Sequence, residues 1–419
     1  MWRIFAIGSL AALLTGRALA QNTQPSELDT IKALLQEVAD LKARVAALEA
    51  RHEQPVTGEA ANAPAVEPPK QPEVAPSESN AEFGVFRGIK FAGFGALSFK
   101  ASDARPPESA LLGFRDHSSS SFAVGDTSLF ITSHLNSKAS VLGEITFSET
   151  AEQGFEIDVE RLLLKYELND YLKLSFGRYH TAVSYYNQVF HHGQWLQTAV
   201  DRPLVVEFSD HGGLLPSQAV GVSVTGQVPS GHLGLNYILE YGTSDTHRPT
   251  VDGSGSAEIE EDNGQSTIVG LFARPDGLPG LEAGGSFYHD RIQPNGGPLH
   301  MGQSVVSAHV VYVTPRYEFI NEGFVVQHNV QETGQTFNTP AFYSLISAKL
   351  GGRWRPYFRY QYVNANSPVF PDVKLRHGPS AGLRYELNDY VALKAQIDRT
   401  LRSSLAAFNA LNFQLAFRF

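Results

Sequence analysis

Leu411-Asn412-Phe413-Gln414-Leu415-Ala416-Phe417-Arg418-Phe419 ends the chain, and its side chains alternate between apolar and polar. Residues two apart share a face of an extended strand, so Leu411, Phe413, Leu415, Phe417 and Phe419 form one apolar face. Asn412, Gln414 and Arg418 lie on the other. A soluble edge strand can carry such a pattern. A transmembrane β-barrel requires it, because its strands show apolar side chains to lipid and polar ones to a wet lumen.

The other end of the chain points to export. Arg3 supplies a short positive region, Ile4 to Leu14 an apolar core, and Ala18-Leu19-Ala20 a small-residue cleavage site, so residues 1–20 read as a secretory signal peptide. The apolar run is too short to span a bilayer as a helix, and no later segment approaches the roughly 18 uninterrupted apolar residues that a spanning helix needs. A barrel is then the way across a membrane. Composition agrees: a chain with 26 Phe, 16 Tyr and 37 Gly is rich in strand formers and turn residues. Its mean hydropathy is only -0.18, as expected where every second strand residue faces water. The absence of Cys excludes disulfides, thiolate metal sites and Cys nucleophiles, and a net charge of -10 argues against a nucleic-acid partner.

Residues 21–51 predict a coiled-coil helix. Ser26 can cap it, Ile31, Val38 and Val45 repeat at heptad position a, and Leu34, Leu41 and Leu48 at d. Glu37 can meet Lys42 of a neighbour, and Arg44 can meet Glu49. A lone amphipathic helix is the alternative. Residues 52–81 carry Pro55, Pro64, Pro68, Pro69, Pro72 and Pro76 among Ala, Glu and Gln, which predicts an extended linker.

From residue 82 to 419 the chain becomes short alternating stretches joined by connections of two kinds. Tight ones fall at Asn136-Ser137-Lys138, Asn169-Asp170, Pro229-Ser230-Gly231-His232, Pro275-Asp276-Gly277, Thr314-Pro315-Arg316, Gly351-Gly352 and Asn388-Asp389. Longer polar ones fall near 101–120, 148–155, 178–214, 242–265, 289–302, 331–340, 363–377 and 400–407. Fifteen connections of alternating length predict an all-β, 16-stranded antiparallel transmembrane up-and-down barrel, with about 21 residues for each strand and its connection. The echo of Tyr166-Glu167-Leu168-Asn169-Asp170-Tyr171 in Tyr385-Glu386-Leu387-Asn388-Asp389-Tyr390 reads as two hairpin turns flanked by interfacial tyrosines.

The alternation also assigns side chains to the lumen. With Leu162, Leu164, Tyr166 and Leu168 outward, Arg161, Lys165 and Glu167 point in; Lys173 follows on the next strand. Arg353, Arg355 and Arg359 form an inward row, and Arg384, Lys394 and Arg418 join it. Guanidinium groups in a narrow wet passage offer charge and a planar donor fork suited to phosphate or carboxylate oxygens. The alternative is that these cations pair with inward Glu167, Glu240, Glu386 and Asp398 and fill the wall. No nucleophile elbow, zinc-helix motif, phosphate-binding glycine loop or cofactor motif is present, so the chain reads as no enzyme; a hydrolase built around Asp210-His211 is a remote alternative.

Signal peptide, heptad helix, proline-rich linker, sixteen strands, inward arginines and terminal Phe419 together resemble the phosphate-selective porin O and P family and its coiled-coil-bearing dicarboxylate-type relatives. The resemblance implies a homotrimeric channel in the bacterial outer membrane, in contact with outer-membrane lipid, with its N-terminal segment in the periplasm. Small anionic solutes would diffuse through a basic constriction; a general or carbohydrate-tolerant porin is the alternative. In such barrels the third long connection folds inward. Here it runs from Arg178 to Leu214 and holds His180, His191, His192, Trp195, Asp201 and Arg202. Its aromatic residues suit either sugar stacking or anchorage to the wall, and adjacent His191-His192 lack a fixed third ligand for a metal. Phe413, Leu415, Phe417 and Phe419 resemble the C-terminal signal read by the barrel-assembly machinery.

Overall fold

The computed structural model describes residues 88–104, 120–149, 154–190, 192–207, 214–244, 265–292, 300–365, 373–403 and 406–419. The expected signal peptide, coiled-coil helix and linker lie outside them. The strands run in chain order as β1 (Ile89–Ser102), β2 (Ser120–Val124), β3 (Thr127–His134), β4 (Ala139–Glu149), β5 (Phe155–Asn169) and β6 (Leu172–His180). After the long inward connection come β7 (Gln218–Gln227), β8 (Leu235–Ser244), β9 (Gln265–Ala273), β10 (Leu281–Ile292), β11 (Met301–Val313) and β12 (Tyr317–Val330). The set ends with β13 (Gln335–Ala348), β14 (Trp354–Ala365), β15 (Lys374–Glu386), β16 (Val391–Arg402) and β17 (Phe408–Arg418).

All seventeen join one antiparallel sheet that closes on itself when β17 pairs with β1. They make sixteen staves, because β2 and β3 share one: β2 pairs with the upper part of β1 and β3 with the lower part. The seam is finished by the last residue. Gly93 N–H donates to the Phe419 carbonyl at 2.9 Å and Phe419 N–H to the Gly93 carbonyl at 3.0 Å.

The seven expected tight turns all join neighbouring strands. In three of them an Asn side chain does the bending: Asn136 Oδ1 accepts from Lys138 and Ala139 N–H, Asn169 Oδ1 from Tyr171 N–H, and Asn388 Oδ1 from Tyr390 and Val391 N–H. One expected long connection is corrected. Only Gln331–Gly334 forms the turn after β12, Gly334 adopting φ +67°, while Gln335 to Pro340 belong to β13.

Alternation builds the outer surface. Leu162, Val269, Val306, Val325, Phe342, Ile346, Phe358, Ile397 and Phe413 all project outward and are exposed, a band that only hydrocarbon would cover. Tyr166, Tyr317 and Trp354 are exposed toward the end that carries the tight turns, where Trp354 packs 4.3 Å from Tyr385. The inside departs from expectation. Instead of a uniformly polar lumen, β9 to β13 turn Ile268, Tyr288, Val305, Ile320, Phe324, Val326, Ala341, Tyr343 and Leu345 inward, all buried in one core with residues of the inward connection.

Candidate channel constriction

That connection, residues 181–217, leaves β6, crosses the interior and returns to β7. Its first part is the short helix α1 (Tyr185–Val189), capped by Ser184, whose hydroxyl accepts from Asn187 N–H at 3.3 Å. The sequence places Tyr185, Tyr186 and Phe190 here, and all three are buried against the apolar wall. Two wall carboxylates take the donors that this segment leaves unpaired. Glu322 of β12 accepts from Tyr185 N–H at 2.7 Å, Tyr186 N–H at 2.9 Å, the Ser184 hydroxyl and the Tyr343 hydroxyl. Glu240 of β8 accepts from Ala182 N–H at 3.0 Å. A buried carboxylate is tolerable only when several donors satisfy it in this way.

The opposite wall has the reverse polarity. Arg384 of β15 donates to the carbonyls of Trp195 at 2.6 Å and Gln197 at 2.9 Å, and lies 4.9 Å over the Trp195 ring. Lys394 of β16 donates to the carbonyls of Gln194 at 2.6 Å and Ala199 at 2.9 Å. Arg359 of β14, only 1 % exposed, donates to the Asp201 carbonyl at 2.7 Å and to its carboxylate at 2.6 Å. Gln361 receives Leu204 N–H, Gln396 receives Val200 N–H, and Gln414 donates to the Val200 carbonyl. Trp195 also packs on Phe94 and Ala96 of β1. The third side of the barrel is reached by His192, which sits between Asp126 and Glu160. The connection is therefore tied around the interior: wall carboxylates hold the N–H groups of residues 182–186, and side chains of Arg359, Arg384, Lys394 and wall glutamines hold the backbone of residues 194–204.

The cations expected to line a passage divide accordingly. Arg359, Arg384 and Lys394 are buried beneath the connection, and Arg202, on it, is buried with Nε donating to the Val206 carbonyl and the guanidinium 5.4 Å over Tyr186. The others keep access to solvent. Arg161 meets Glu144 at 2.5 Å, Lys173 meets Glu167 at 3.4 Å, and Arg178 meets Asp158 at 3.6 Å and the Gln218 side chain. Lys165 is half-buried on β5, Arg355 donates to Ser347 Oγ at 3.3 Å, and Arg353 stands exposed at a turn. His180 is buried with Nε2 3.9 Å from Glu144, and His191 lies outside the described residues. No cluster of metal-ligating side chains occurs among the described residues. Sequence reasoning passed over Glu322, Gln396, Asp126 and Glu160; alternation put Gln361 and Gln414 on the inward face without showing that they would hold the connection. For Glu322 a signal existed: it is a carboxylate flanked by Ile320 and Phe324 on the inward face of β12, which it shares with Glu318.

A closed barrel of sixteen staves with an inward third connection can be compared with solved structures. The anion-selective porin from Comamonas acidovorans superposes with a TM-score of 0.56 at 11% identity, over 79% of this chain and 99% of that one. The fold is that of the outer-membrane porins. The outer membrane channel DcaP of Acinetobacter baumannii gives a TM-score of 0.53 at 9% identity, over 79% of this chain and 97% of its own. OprB of Pseudomonas putida gives 0.51 at 10% identity, over 80% and 95%. No protein-family model matches the sequence, and no curated protein is significantly similar to it.

Proposed function

We propose that the protein is an outer-membrane porin through which small solutes diffuse passively, and that phosphate or small carboxylates are favoured among them. The observation that carries this reading is the connection of residues 181–217, tied to the wall of a barrel whose outside is apolar. In this reading the connection narrows a passage. Support for anions comes from the accessible wall cations Arg161, Lys165, Lys173, Arg178 and Arg355, whose fixed charge would raise the local anion concentration. The phosphate-selective family that the sequence layout resembles, and the anion selectivity of the Comamonas porin, are in keeping with it. We further place the N-terminal segment in the periplasm, the assembly as a homotrimer, and Phe413 to Phe419 as the signal to the assembly machinery. A general or carbohydrate-tolerant porin is the second reading, favoured by Glu144, Asp158 and Glu167, which pair with Arg161, Arg178 and Lys173.

The test is the zero-current potential of the refolded protein in a planar bilayer under a potassium chloride gradient. An anion-selective sign, strongest at low salt where screening is weakest and reduced in Arg355→Glu and Lys165→Glu, is the expected result. A cation-selective sign overturns the anion reading and favours the general porin.

A further inference from the structure

His192 meets two carboxylates that the sheet has gone out of register to present. Its Nδ1 lies 3.0 Å from Asp126 Oδ2 and its Nε2 2.8 Å from Glu160 Oε1, and Ser148 Oγ donates to the other Asp126 oxygen at 2.9 Å. Asp126 falls where β2 gives way to β3. Leu97 of β1 faces Val124, but Phe94 faces Ser128, so Gly95 and Ala96 oppose three residues, Gly125, Asp126 and Thr127. Glu160 is the extra residue of a second bulge: Val159 faces Ile145 and Arg161 faces Glu144, leaving Glu160 with no cross-strand partner position. A bulge disrupts the ladder locally and re-aims a side chain. Two bulges, one on each side of β4, here aim carboxylates at the same buried imidazole.

The place of His192 in the connection gives this clamp a role. Residues 182–186 are tied to β8 and β12, and residues 194–204 to β14, β15, β16 and β17; His192 ties the intervening stretch to the third side, at β3 and β5. That side also carries the accessible cations Arg161 and Lys165. We propose that His192 is the positioning residue that sets the aperture of the channel, by holding the connection toward the β3–β5 wall through its two bulge carboxylates. This rests on the porin reading above. His192 need not touch a solute: it fixes the backbone that solutes pass.

The experiment uses the refolded full-length mature chain with His192→Gln, Asp126→Asn and Glu160→Gln, all close in shape to the native side chains, and the double variant His192→Gln/Glu160→Gln. Each single variant is expected to change single-channel conductance and to speed hydrogen exchange of amides between residues 186 and 200. The double variant is expected to go no further than the singles, since one interaction is removed in both. His192→Arg, which restores a cation able to donate to both carboxylates, is expected to return both readouts toward the native values. If His192→Gln does not fold, the two carboxylate variants decide. Unchanged conductance and exchange in Glu160→Gln and Asp126→Asn overturn the proposal. Should the native protein pass no current, the porin reading fails on that result, and the exchange measurement alone decides the clamp.

Discussion

His192 and Lys394 show how single side chains hold a backbone segment inside a barrel. Burial by itself would push the His192 imidazole down from its ordinary 6.5, but hydrogen bonds to Asp126 and Glu160, and their charge, outweigh burial and raise it to about 10. A group whose folded pKa is raised contributes stability that is complete below its unfolded value and is lost as pH rises through the folded one. The clamp is therefore expected to weaken between about pH 6.5 and about pH 10. Exchange of the amides flanking His192, corrected for intrinsic rate, is expected to rise over that window in the native protein and to lack the step in His192→Gln; identical profiles would contradict the assignment. Lys394 makes a second case. Its ammonium is buried between two carbonyls, and Lys394→Met would leave both without that donor, at about 1–3 kcal/mol for each buried group so orphaned. Trp195 fluorescence in a Trp354→Phe background lacking residues 1–20, and with them Trp2, is expected to report a loosened connection at lower denaturant than in the parent. Alternation along β16 was enough to point Lys394 inward. It could not show that the carbonyls it would meet lie 195 and 200 residues away in sequence.

At the scale of strands, the clearest case is the seam between β17 and β1. Phe419 is exposed on the outer surface, yet its backbone makes both hydrogen bonds with Gly93, and its ring lies over that glycine so closely that a Cβ there would fall 2.2 Å from it. Removing Phe419 is expected to lower the yield of heat-resistant barrel while leaving the conductance of the molecules that do fold unchanged, since the side chain faces away from the lumen. Normal yield would contradict a role in closure. Strands such as β5 and β17 were readable because one face is apolar and the other polar. β12 and β13 were harder, because much of their length is apolar on both faces, and period-two contrast disappears when a strand separates lipid from a packed interior. Thr336 and Asn338 made residues 331–340 look like a loop; in the barrel they face outward and pair with Asn329 and Gln327 across the ladder. The bulges at Gly125–Asp126 and Glu160 have no sequence signal of comparable strength, since their purpose lies in a histidine elsewhere in the chain.

For the molecule as a whole, barrel class and stave number were legible because they follow from turn spacing and segment length, and the inward third connection was expected from the family resemblance, its length being all that the sequence itself displays. The division of the interior was not: it depends on which face of the connection packs against which wall. The heptads of residues 21–51 give a self-complementary seam, so deleting residues 21–80 is expected to leave the barrel folded and to lower the temperature at which the oligomer dissociates; an unchanged temperature would remove the bracing role. The central claim is that the connection of residues 181–217 narrows a conducting lumen. It is tested most directly by single-channel recording of the native protein beside a variant in which residues 183–215 are replaced by a short turn. The account predicts stepwise current in both, with a larger unit conductance and weaker ion selectivity in the variant. Equal conductance in the two proteins would contradict it.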